Sequence, residues 1–157
     1  MMPTSVLFVC LGNICRSPSA ESVMRTKAKQ AHLNIKFDSA GTAGFHIGDA
    51  PDERAIEVGQ TLGYDLTTLQ ARQVSVEDFY EFDIIFAMDN TNLKDLKTLH
   101  AHAVLYANNR KVAHLALFDP TGKAVADPYY GDKREFVVMF AHLETVADIH
   151  FAHWQAP

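Results

Sequence analysis

Cys10 and Arg16 stand close enough in the sequence to act on the same anion. The segment between them, residues 11–15, is short and contains a Gly-Asn pair. A cysteine thiolate is a nucleophile, and the planar guanidinium of arginine can donate to two oxygens of one phosphate group. Backbone N–H groups of such a segment can converge on the same anion. The pattern therefore indicates attack by sulfur on phosphorus.

The residues around Cys10 favour its charged form. A free cysteine thiol is mostly protonated at neutral pH, and inward-facing amides, a helix N-terminus and a nearby arginine each stabilise the thiolate. The Ser17 hydroxyl is placed to hydrogen-bond the sulfur, both as thiolate and as leaving group. Gly12 and Asn13 tolerate a left-handed backbone better than most residues, as a tightly curled loop requires.

The two cysteines could also be buried apolar residues or ligands of a metal ion. The chain contains only Cys10 and Cys15, which is too few thiolates for a usual structural zinc site. His100 and His102 are close in the sequence, but no third ligand lies near them, and we interpret them as solvated loop residues. We therefore predict no metal site.

The elements that position this loop follow from the hydrophobic pattern. Residues 6–10 form a short apolar, β-branched stretch that predicts a buried strand. Ser17 as N-cap and Pro18 at the first helical position predict a helix that runs to about residue 32. Its predicted inward-facing residues are Ala20, Val23, Met24 and Ala31. A second strand over residues 35–39 completes a right-handed βαβ unit, so the sheet should be parallel.

The rest of the chain alternates between helical and strand patterns. The predicted helices are residues 51–62, 91–99 and 136–154, and the predicted strands are residues 83–88 and 112–118. We interpret His142, His150 and His153 as surface or boundary residues of the last helix.

The absence of a linker or repeat favours one domain over residues 1–157. The predicted fold is α/β, a three-layer αβα sandwich with a four-stranded parallel sheet, flavodoxin-like and doubly wound, with the ligand at the carboxyl end of the first strand.

Composition and charge restrict the class of protein. The chain of 157 residues has 48% hydrophobic and 21% charged residues, as is usual for a globular protein. No apolar run approaches the roughly 18 residues that span a bilayer. A net charge of −5 without a basic stripe disfavours a nucleic-acid partner. Two cysteines and no basic, signal-like N-terminus predict a reducing, cytoplasmic location.

The segment 10–18, Cys-Leu-Gly-Asn-Ile-Cys-Arg-Ser-Pro, resembles the signature loop of the low-molecular-weight protein tyrosine phosphatases. The similarity continues along the chain. Further matching motifs are Asp38-Ser39-Ala40-Gly41-Thr42, Pro51-Asp52, Ala71-Arg72-Gln73, Ala87-Met88-Asp89 and Asp127-Pro128-Tyr129-Tyr130-Gly131. Because these motifs come in the family's order and cover nearly the whole chain, the resemblance is specific.

The resemblance implies a phosphatase that hydrolyses phosphotyrosine, and small aryl phosphates, through a phosphocysteine intermediate. Cys10 is then the nucleophile, Arg16 holds the phosphoryl group, and Asp127 is the general acid and base. The implied phosphate-binding residues are Leu11, Gly12, Asn13, Ile14, Cys15, Arg16 and Ser17. The implied partners are phosphotyrosine-containing proteins, with inorganic phosphate as product, and no cofactor is required.

Supporting roles outside the loop are also implied by the resemblance. Ser39 is expected to hold Asn13 from behind by hydrogen bonding. The expected walls of the substrate cleft are Phe45, Tyr129 and Tyr130. Many family members carry a histidine where this chain has Leu69, so a role of that histidine cannot be transferred.

Independently of the resemblance, a curled loop should bring Cys15 near enough to Cys10 for a reversible disulfide that protects the nucleophile.

Three other functions fit parts of the pattern. Arsenate reductases use the same fold and loop, but their chemistry recruits a downstream cysteine pair, and no cysteine follows Cys15 here. Phosphoarginine phosphatases resemble this loop with a threonine at the position of Ile14. A non-catalytic phosphate-binding module would lack the nucleophile, the arginine or the acid, and this chain has all three.

Overall fold

The computed structural model describes residues 2–157. Its sheet consists of the strands β1 (Ser5–Cys10), β2 (Lys36–Gly41), β3 (Ile84–Ala87) and β4 (His114–Leu117). The helices are α1 (Arg16–Gln30), α2 (Glu53–Thr61), α3 (Asp78–Glu81), α4 (Asn90–Leu105) and α5 (Lys133–Gln155). The strand order is β2-β1-β3-β4, and every neighbouring pair is parallel. The predicted α/β fold with a four-stranded parallel sheet is confirmed.

Strand β1 is the centre of the fold because both of its faces are covered. Val6 and Phe8 belong to a hydrophobic cluster that includes residues of α1, α2 and α5. Leu7 and Val9 point to the other side, into a cluster that includes residues of α3 and α4. Alternating side chains of one strand therefore enter two cores, and this arrangement produces the three αβα layers.

The start of α1 differs from the prediction. The helix begins at Arg16, Cys15 occupies the N-cap position, and within residues 2–157 no side chain caps the first turn. Ser17 is therefore not the N-cap, because its hydroxyl is engaged with the Cys10 sulfur and the Asn13 side chain. An uncapped first turn leaves N–H groups available to an anion.

The histidines also differ in part from the prediction. His100 and His102 lie within α4 and not in a loop, and their rings contact Phe79 and Tyr106 respectively. His150 is buried, with only 8% of its surface exposed, because its ring packs among aromatic side chains. These side chains are Phe86, Phe118 and Trp154.

Smaller differences concern the ends of elements. Ala31 is the half-buried residue that ends α1 and does not belong to the core. Helix α4 extends to Leu105, and β4 is shorter than predicted. Helix α3 was not predicted, because a single turn of four residues has no clear hydrophobic period. None of the helices in the described part of the chain is both long and apolar enough to cross a membrane.

The carboxyl ends of the parallel strands meet at one edge of the sheet. Cys10 is the last residue of β1, and Asp89 follows β3 by two residues. Strand β1 lies between β2 and β3 in the sheet. After β1 the chain therefore forms β2 on one side of it and later β3 on the other side. In open α/β sheets this switch point forms a crevice in which ligands bind.

Candidate active site

Residues 11–15 curl over the end of β1 and lead directly into α1, and we name this segment with its flanking Cys10 and Arg16 the phosphate loop. Asn13 adopts the left-handed backbone conformation, with a φ of 58°, as its residue type allows. This turn points the Asn13 backbone N–H at the Cys10 sulfur, with 3.3 Å between N and Sγ. The Ser17 Oγ lies 3.0 Å from the same sulfur. Two hydrogen-bonding groups, one from the loop and one from the first turn of α1, thus converge on the Cys10 sulfur.

The Asn13 side chain holds the loop from behind. Its amide nitrogen donates to Ser17 Oγ at 2.8 Å and to Ser39 Oγ at 3.0 Å. Its amide oxygen accepts from the backbone N–H of Arg72 at 3.0 Å. Three separate segments therefore fix the left-handed turn, and the Ser17 proton is left for the Cys10 sulfur or for the Ala40 carbonyl, 3.3 Å away.

A buried carboxylate completes this network at its far end. Glu21 on α1 accepts from Ser39 Oγ at 2.7 Å and is also bonded by Arg25. Burial raises its pKa above the usual range despite those bonds. Leu69, which stands where many relatives carry a histidine, packs against the hydrophobic cluster of α1 and α5. The hydrogen bonds behind the loop in this chain are thus made by Ser39, Glu21 and the Arg72 backbone.

Arg16 is fixed beside the loop by two acceptors. Its Nη1 donates to Asp89 Oδ2 at 2.6 Å and to the Val125 carbonyl at 3.1 Å. Only 4% of the residue is exposed, and burial by itself would lower its pKa. The charges of Cys10 and Asp89 outweigh burial, so the pKa of Arg16 lies above its usual value. The guanidinium is therefore a permanent positive charge with a defined orientation.

Asp89 was not assigned a role from the sequence, although its motif was recognised. One carboxylate oxygen binds Arg16, and the other accepts from the backbone N–H of Asn92 at 2.7 Å and so caps α4. A single residue thus joins the end of β3, the start of α4 and the phosphate loop. The only signal in the sequence was an aspartate directly after a buried strand.

Asp127 lies at the mouth of the site. Its Oδ2 is 3.8 Å from Arg16 Nη2, and its Oδ1 accepts from the backbone N–H of Tyr129 at 3.1 Å. The side chain is 40% exposed, so water and substrate can reach it. We name residues 127–131, which carry this carboxylate, the acid loop.

A cleft of about 260 Å³ opens between the phosphate loop and the acid loop. Its lining is shared by both loops and by the segment after β2. The lining residues are Cys10, Leu11, Gly12, Ile14, Cys15, Arg16, Phe45, His46, Asp127, Tyr129 and Tyr130. The side chains of Asn13 and Ser17, two of the predicted phosphate-binding residues, are bonded to each other behind the loop with Ser39, and none of the three residues lines the cleft. His46 was missed, since nothing distinguishes it in sequence from a loop histidine.

The aromatic residues form the walls of this cleft. Tyr129 and Tyr130 meet edge to face with 5.0 Å between ring centroids. Phe45 is exposed on the opposite segment, and Tyr130 is 93% exposed. Exposed aromatic rings that line the same cleft as Cys10 and Arg16 can contact a flat apolar group attached to a small anion.

Cys15 differs from Cys10 in its surroundings, although both are free thiols. Burial, and the negative charges of Asp52 and Cys10, raise the pKa of the Cys15 thiol far above its usual value. Cys15 is therefore protonated at neutral pH. The structure thus contains one thiol among hydrogen-bond donors and one held neutral.

The segment that leads from β4 to the acid loop is anchored by Asp119. Its Oδ2 lies 2.7 Å from His142 Nε2, and its Oδ1 accepts from the backbone N–H and hydroxyl of Thr121. Burial raises the pKa of Asp119, but these hydrogen bonds outweigh it, so the pKa lies below the usual range. A carboxyl with a lowered folded-state pKa stabilises the fold above its unfolded pKa, and this contribution is lost as pH falls through the folded-state pKa.

We therefore expect Asp119→Asn to lower the free energy of unfolding at pH 7 by about 1–3 kcal/mol, as for a buried hydrogen bond to a charged group. The difference from the parent should shrink as the pH falls below about 4, where the unfolded carboxyl is protonated. Urea denaturation at several pH values measures this, with the exposed Asp95→Asn as control. A difference that stays constant down to pH 3 would contradict the assignment.

The fold and this geometry define a class: a doubly wound α/β protein in which the loop after the first strand carries a cysteine and a buried arginine. The model of the family described as low molecular weight phosphotyrosine protein phosphatase matches residues 5–155. The chain belongs to this family.

Individual relatives agree with the family match. A low molecular weight phosphotyrosine protein phosphatase of Schizosaccharomyces pombe is 43% identical over 136 residues, which cover 83% of this chain and 84% of the relative. The crystal structure of YfkJ from Bacillus subtilis has a TM-score of 0.82 and 37% identity, and the match covers 99% of this chain and 96% of that one. The crystal structure of a Drosophila arginine phosphatase has a TM-score of 0.88 and 29% identity, covering 96% of this chain and 98% of that one.

Proposed function

We propose that this protein hydrolyses phosphotyrosine in proteins, and small aryl phosphates, through a phosphocysteine intermediate. The observation that carries the proposal is the floor of the cleft. There the Cys10 sulfur has the Asn13 N–H at 3.3 Å and the Ser17 hydroxyl at 3.0 Å, and the buried Arg16 lines the same cleft. Membership in a phosphotyrosine phosphatase family supports the same reaction class.

The first step transfers the phosphoryl group to sulfur. The Cys10 thiolate attacks phosphorus, a P–S bond forms, and the bond from phosphorus to the tyrosyl oxygen breaks. Asp127 gives its proton to that oxygen, because a phenoxide without a proton is a poor leaving group. Asp127 lines the same cleft as Cys10, and its partly exposed carboxylate lies 3.8 Å from Arg16, which supports this role.

The second step releases phosphate. Asp127, now ionised, takes a proton from a water molecule, whose oxygen attacks phosphorus. The P–S bond breaks, inorganic phosphate leaves, and the Cys10 thiolate is restored. The Ser17 hydroxyl can donate to the departing sulfur, which makes the thiolate a better leaving group.

Arg16 and the phosphate loop stabilise the charge that develops on the phosphoryl oxygens. Arg16 is held by Asp89 and by the Val125 carbonyl, so it does not have to reorganise when the reaction begins. The backbone N–H groups between Leu11 and Ser17 are the further donors that we assign to these oxygens. Fixed dipoles and a fixed charge in a water-poor site are the most effective form of electrostatic catalysis.

The aromatic walls select the leaving group. Phe45, Tyr129 and Tyr130 rise around the opening of the cleft, where the ring of a phosphotyrosine would lie while its phosphate reaches the floor. We propose proteins that contain phosphotyrosine as substrates, and a reducing compartment such as the cytoplasm as the location, because the reaction needs Cys10 as a free thiolate.

We also propose that Cys15 protects Cys10 from oxidation. Peroxide would convert the Cys10 thiolate to a sulfenic acid, and the Cys15 sulfur would then displace water to form a disulfide. Cys15 and Cys10 line the same cleft, and the charge of Cys10 contributes to the raised pKa of the Cys15 thiol. The neutral state of Cys15 in the reduced protein keeps it from competing as nucleophile.

We expect Asp127→Ala to lower kcat/KM for p-nitrophenyl phosphate by about 10²–10⁴-fold, the usual contribution of a general acid. The profile of kcat/KM against pH in the parent should be bell-shaped, since the reaction needs thiolate Cys10 and protonated Asp127. The fall on the alkaline side should disappear in the variant. Steady-state kinetics between about pH 5 and 8 test this, and inhibition by inorganic phosphate should persist in the variant.

A second candidate substrate class is phosphoarginine, because the structural match includes a protein named as an arginine phosphatase. Ile14 lines the cleft of this chain, at the position where we associate threonine with that activity. An isoleucine cannot hydrogen-bond the polar guanidinium side of such a substrate, so we favour phosphotyrosine. Turnover of phosphotyrosine and phosphoarginine peptides, measured side by side, distinguishes the two.

A further inference from the structure

Arg54, in the first turn of α2, reaches across to the acid loop. Its Nη1 donates to the Gly131 carbonyl at 2.8 Å, and its Nη2 donates to the Tyr129 carbonyl at 3.0 Å. Both carbonyls belong to the segment that begins with Asp127. One guanidinium therefore holds two backbone groups of the acid loop, in the two-pronged geometry that a lysine cannot reproduce.

The guanidinium is itself held in place on two sides. Asp52 accepts from Arg54 Nε at 3.0 Å and from Nη2 at 2.9 Å, and these bonds hold the pKa of Asp52 below its usual range. The Arg54 guanidinium also lies over the ring of the fully buried Phe136, 4.6 Å from its centroid. The side chain is thus pre-organised and not a freely moving surface arginine.

Asp52 connects this arrangement to the phosphate loop. Its backbone N–H donates to the Ile14 carbonyl at 2.8 Å, and its side chain caps α2 by accepting from the Arg54 N–H. A continuous path therefore runs from Ile14 through Asp52 and Arg54 to the acid loop. It joins the segment that carries the nucleophile to the segment that carries the acid.

The acid loop has few other restraints near the carboxylate. Asp127 is partly exposed, and among the described residues its side chain contacts the Tyr129 N–H and, at 3.8 Å, Arg16. Within the loop, the Gly131 N–H donates to the Pro128 carbonyl, a local turn that does not set the loop's distance from Cys10. The bonds from Arg54 come from another element, α2, whose N-cap residue Asp52 is itself bonded to the phosphate loop.

We propose that Arg54 is a positioning residue for the general acid, which it holds at the leaving-group oxygen through the Tyr129 and Gly131 carbonyls. This inference rests on the proposed function, in which Asp127 protonates that oxygen. Arg54 does not touch the reacting atoms. Its effect should appear only in steps that need the proton of Asp127, because a shift of about 1 Å in a catalytic group can cost about 10²-fold in rate.

The test compares aryl phosphates that differ in leaving group. Phenyl phosphate needs the proton, whereas 2,4-dinitrophenyl phosphate releases a stable anion without one. We expect Arg54→Met to lower kcat/KM for phenyl phosphate by about 10–100-fold and to change that for 2,4-dinitrophenyl phosphate less than threefold. Arg54→Lys keeps the charge but not the two-pronged geometry, so it should lower kcat/KM for phenyl phosphate selectively, by a smaller factor than Arg54→Met. If Arg54→Met does not fold, Arg54→Lys provides the test.

A double variant removes the acid itself. In an Asp127→Ala background, Arg54→Met should cause no further loss on phenyl phosphate, since no acid remains to be positioned. The inhibition constant of inorganic phosphate should be the same in all variants, which shows that the phosphate loop is intact. Equal losses on both substrates, a loss that persists without Asp127, or a changed phosphate inhibition constant would each overturn the proposal.

Arg110→Met is a matched control. Arg110 also donates to two backbone carbonyls, those of Tyr106 and Ala107, and lies over an aromatic ring, that of Tyr80. None of these residues lines the cleft, so both substrates should be turned over as in the parent. A parent protein that hydrolyses neither aryl phosphate would overturn the proposed function. An active parent without a selective loss in Arg54→Met would overturn the positioning role of Arg54 alone.

Discussion

Cys10→Ser should abolish turnover of p-nitrophenyl phosphate, with a loss of at least about 10⁴-fold in kcat, as for removal of other catalytic nucleophiles. The substitution keeps the size of the side chain and replaces sulfur by oxygen. A serine hydroxyl does not ionise near neutral pH, whereas the phosphate loop offers Cys10 the Asn13 N–H and the Ser17 hydroxyl as partners for a thiolate. The site would still be formed but would have no nucleophile.

Binding of phosphate separates a missing nucleophile from a damaged fold. Arg16 and the amides of the loop remain in Cys10→Ser, so inorganic phosphate should raise its melting temperature as it does for the parent. Cys15→Ser changes the other thiol of the loop and should retain far more turnover than Cys10→Ser. Turnover in Cys10→Ser above a hundredth of the parent rate would rule out the phosphocysteine mechanism.

The second large effect is expected at Arg16. Arg16→Lys should lower kcat/KM for p-nitrophenyl phosphate by about 10³-fold, the size seen when a fixed transition-state donor is removed. Lysine keeps the charge and can still pair with Asp89, but it has no planar fork. The guanidinium of Arg16 can bond Asp89 and the Val125 carbonyl and still present two N–H groups to phosphate oxygens. A lysine ammonium group cannot make all of these bonds at once.

The kinetics of this variant should separate charge from geometry. The inhibition constant of phosphate should rise along with the fall in kcat/KM, since the same donors bind the product. Arg134→Lys is the matched control, because Arg134 is an exposed arginine paired with Asp132, and it should behave as the parent. A loss below tenfold in Arg16→Lys would show that charge alone suffices and that the fork has no role.

The sequence was most informative where one local segment contains the chemistry. Residues 6–18 combine a buried strand, a Gly-Asn turn and the start of a helix, and each is specified by neighbouring residues. The position of Cys10 at the end of β1 could be derived because a strand followed by a helix places its carboxyl end at the edge of a parallel sheet. The local error was the start of the helix. Ser17 was predicted as N-cap and Pro18 as the first helical residue, but the serine hydroxyl bonds the loop instead and the helix begins at Arg16.

Contacts between distant parts of the chain, in the core and in the site, could not be read from local sequence. His150 was predicted to be a surface or boundary residue of the last helix, and only packing among aromatic side chains and a bond to the Phe118 carbonyl explain its burial. The bond from Asp89 to Arg16 joins residues that are 73 positions apart, and the bond from Arg16 to Val125 spans 109. No periodicity or motif encodes such pairings, since they depend on which elements the sheet brings together.

By itself, the sequence determined the α/β class, the parallel sheet, the phosphate loop and the identity of its cysteine and arginine, because hydrophobic periodicity and turn chemistry are local properties. The tertiary structure decided what holds those groups in place. Asp89 orients Arg16, Ser39 and the Arg72 backbone fix Asn13, and Arg54 joins the acid loop to the phosphate loop. These contacts connect distant parts of the chain, and their existence depends on the packing of helices on both faces of β1.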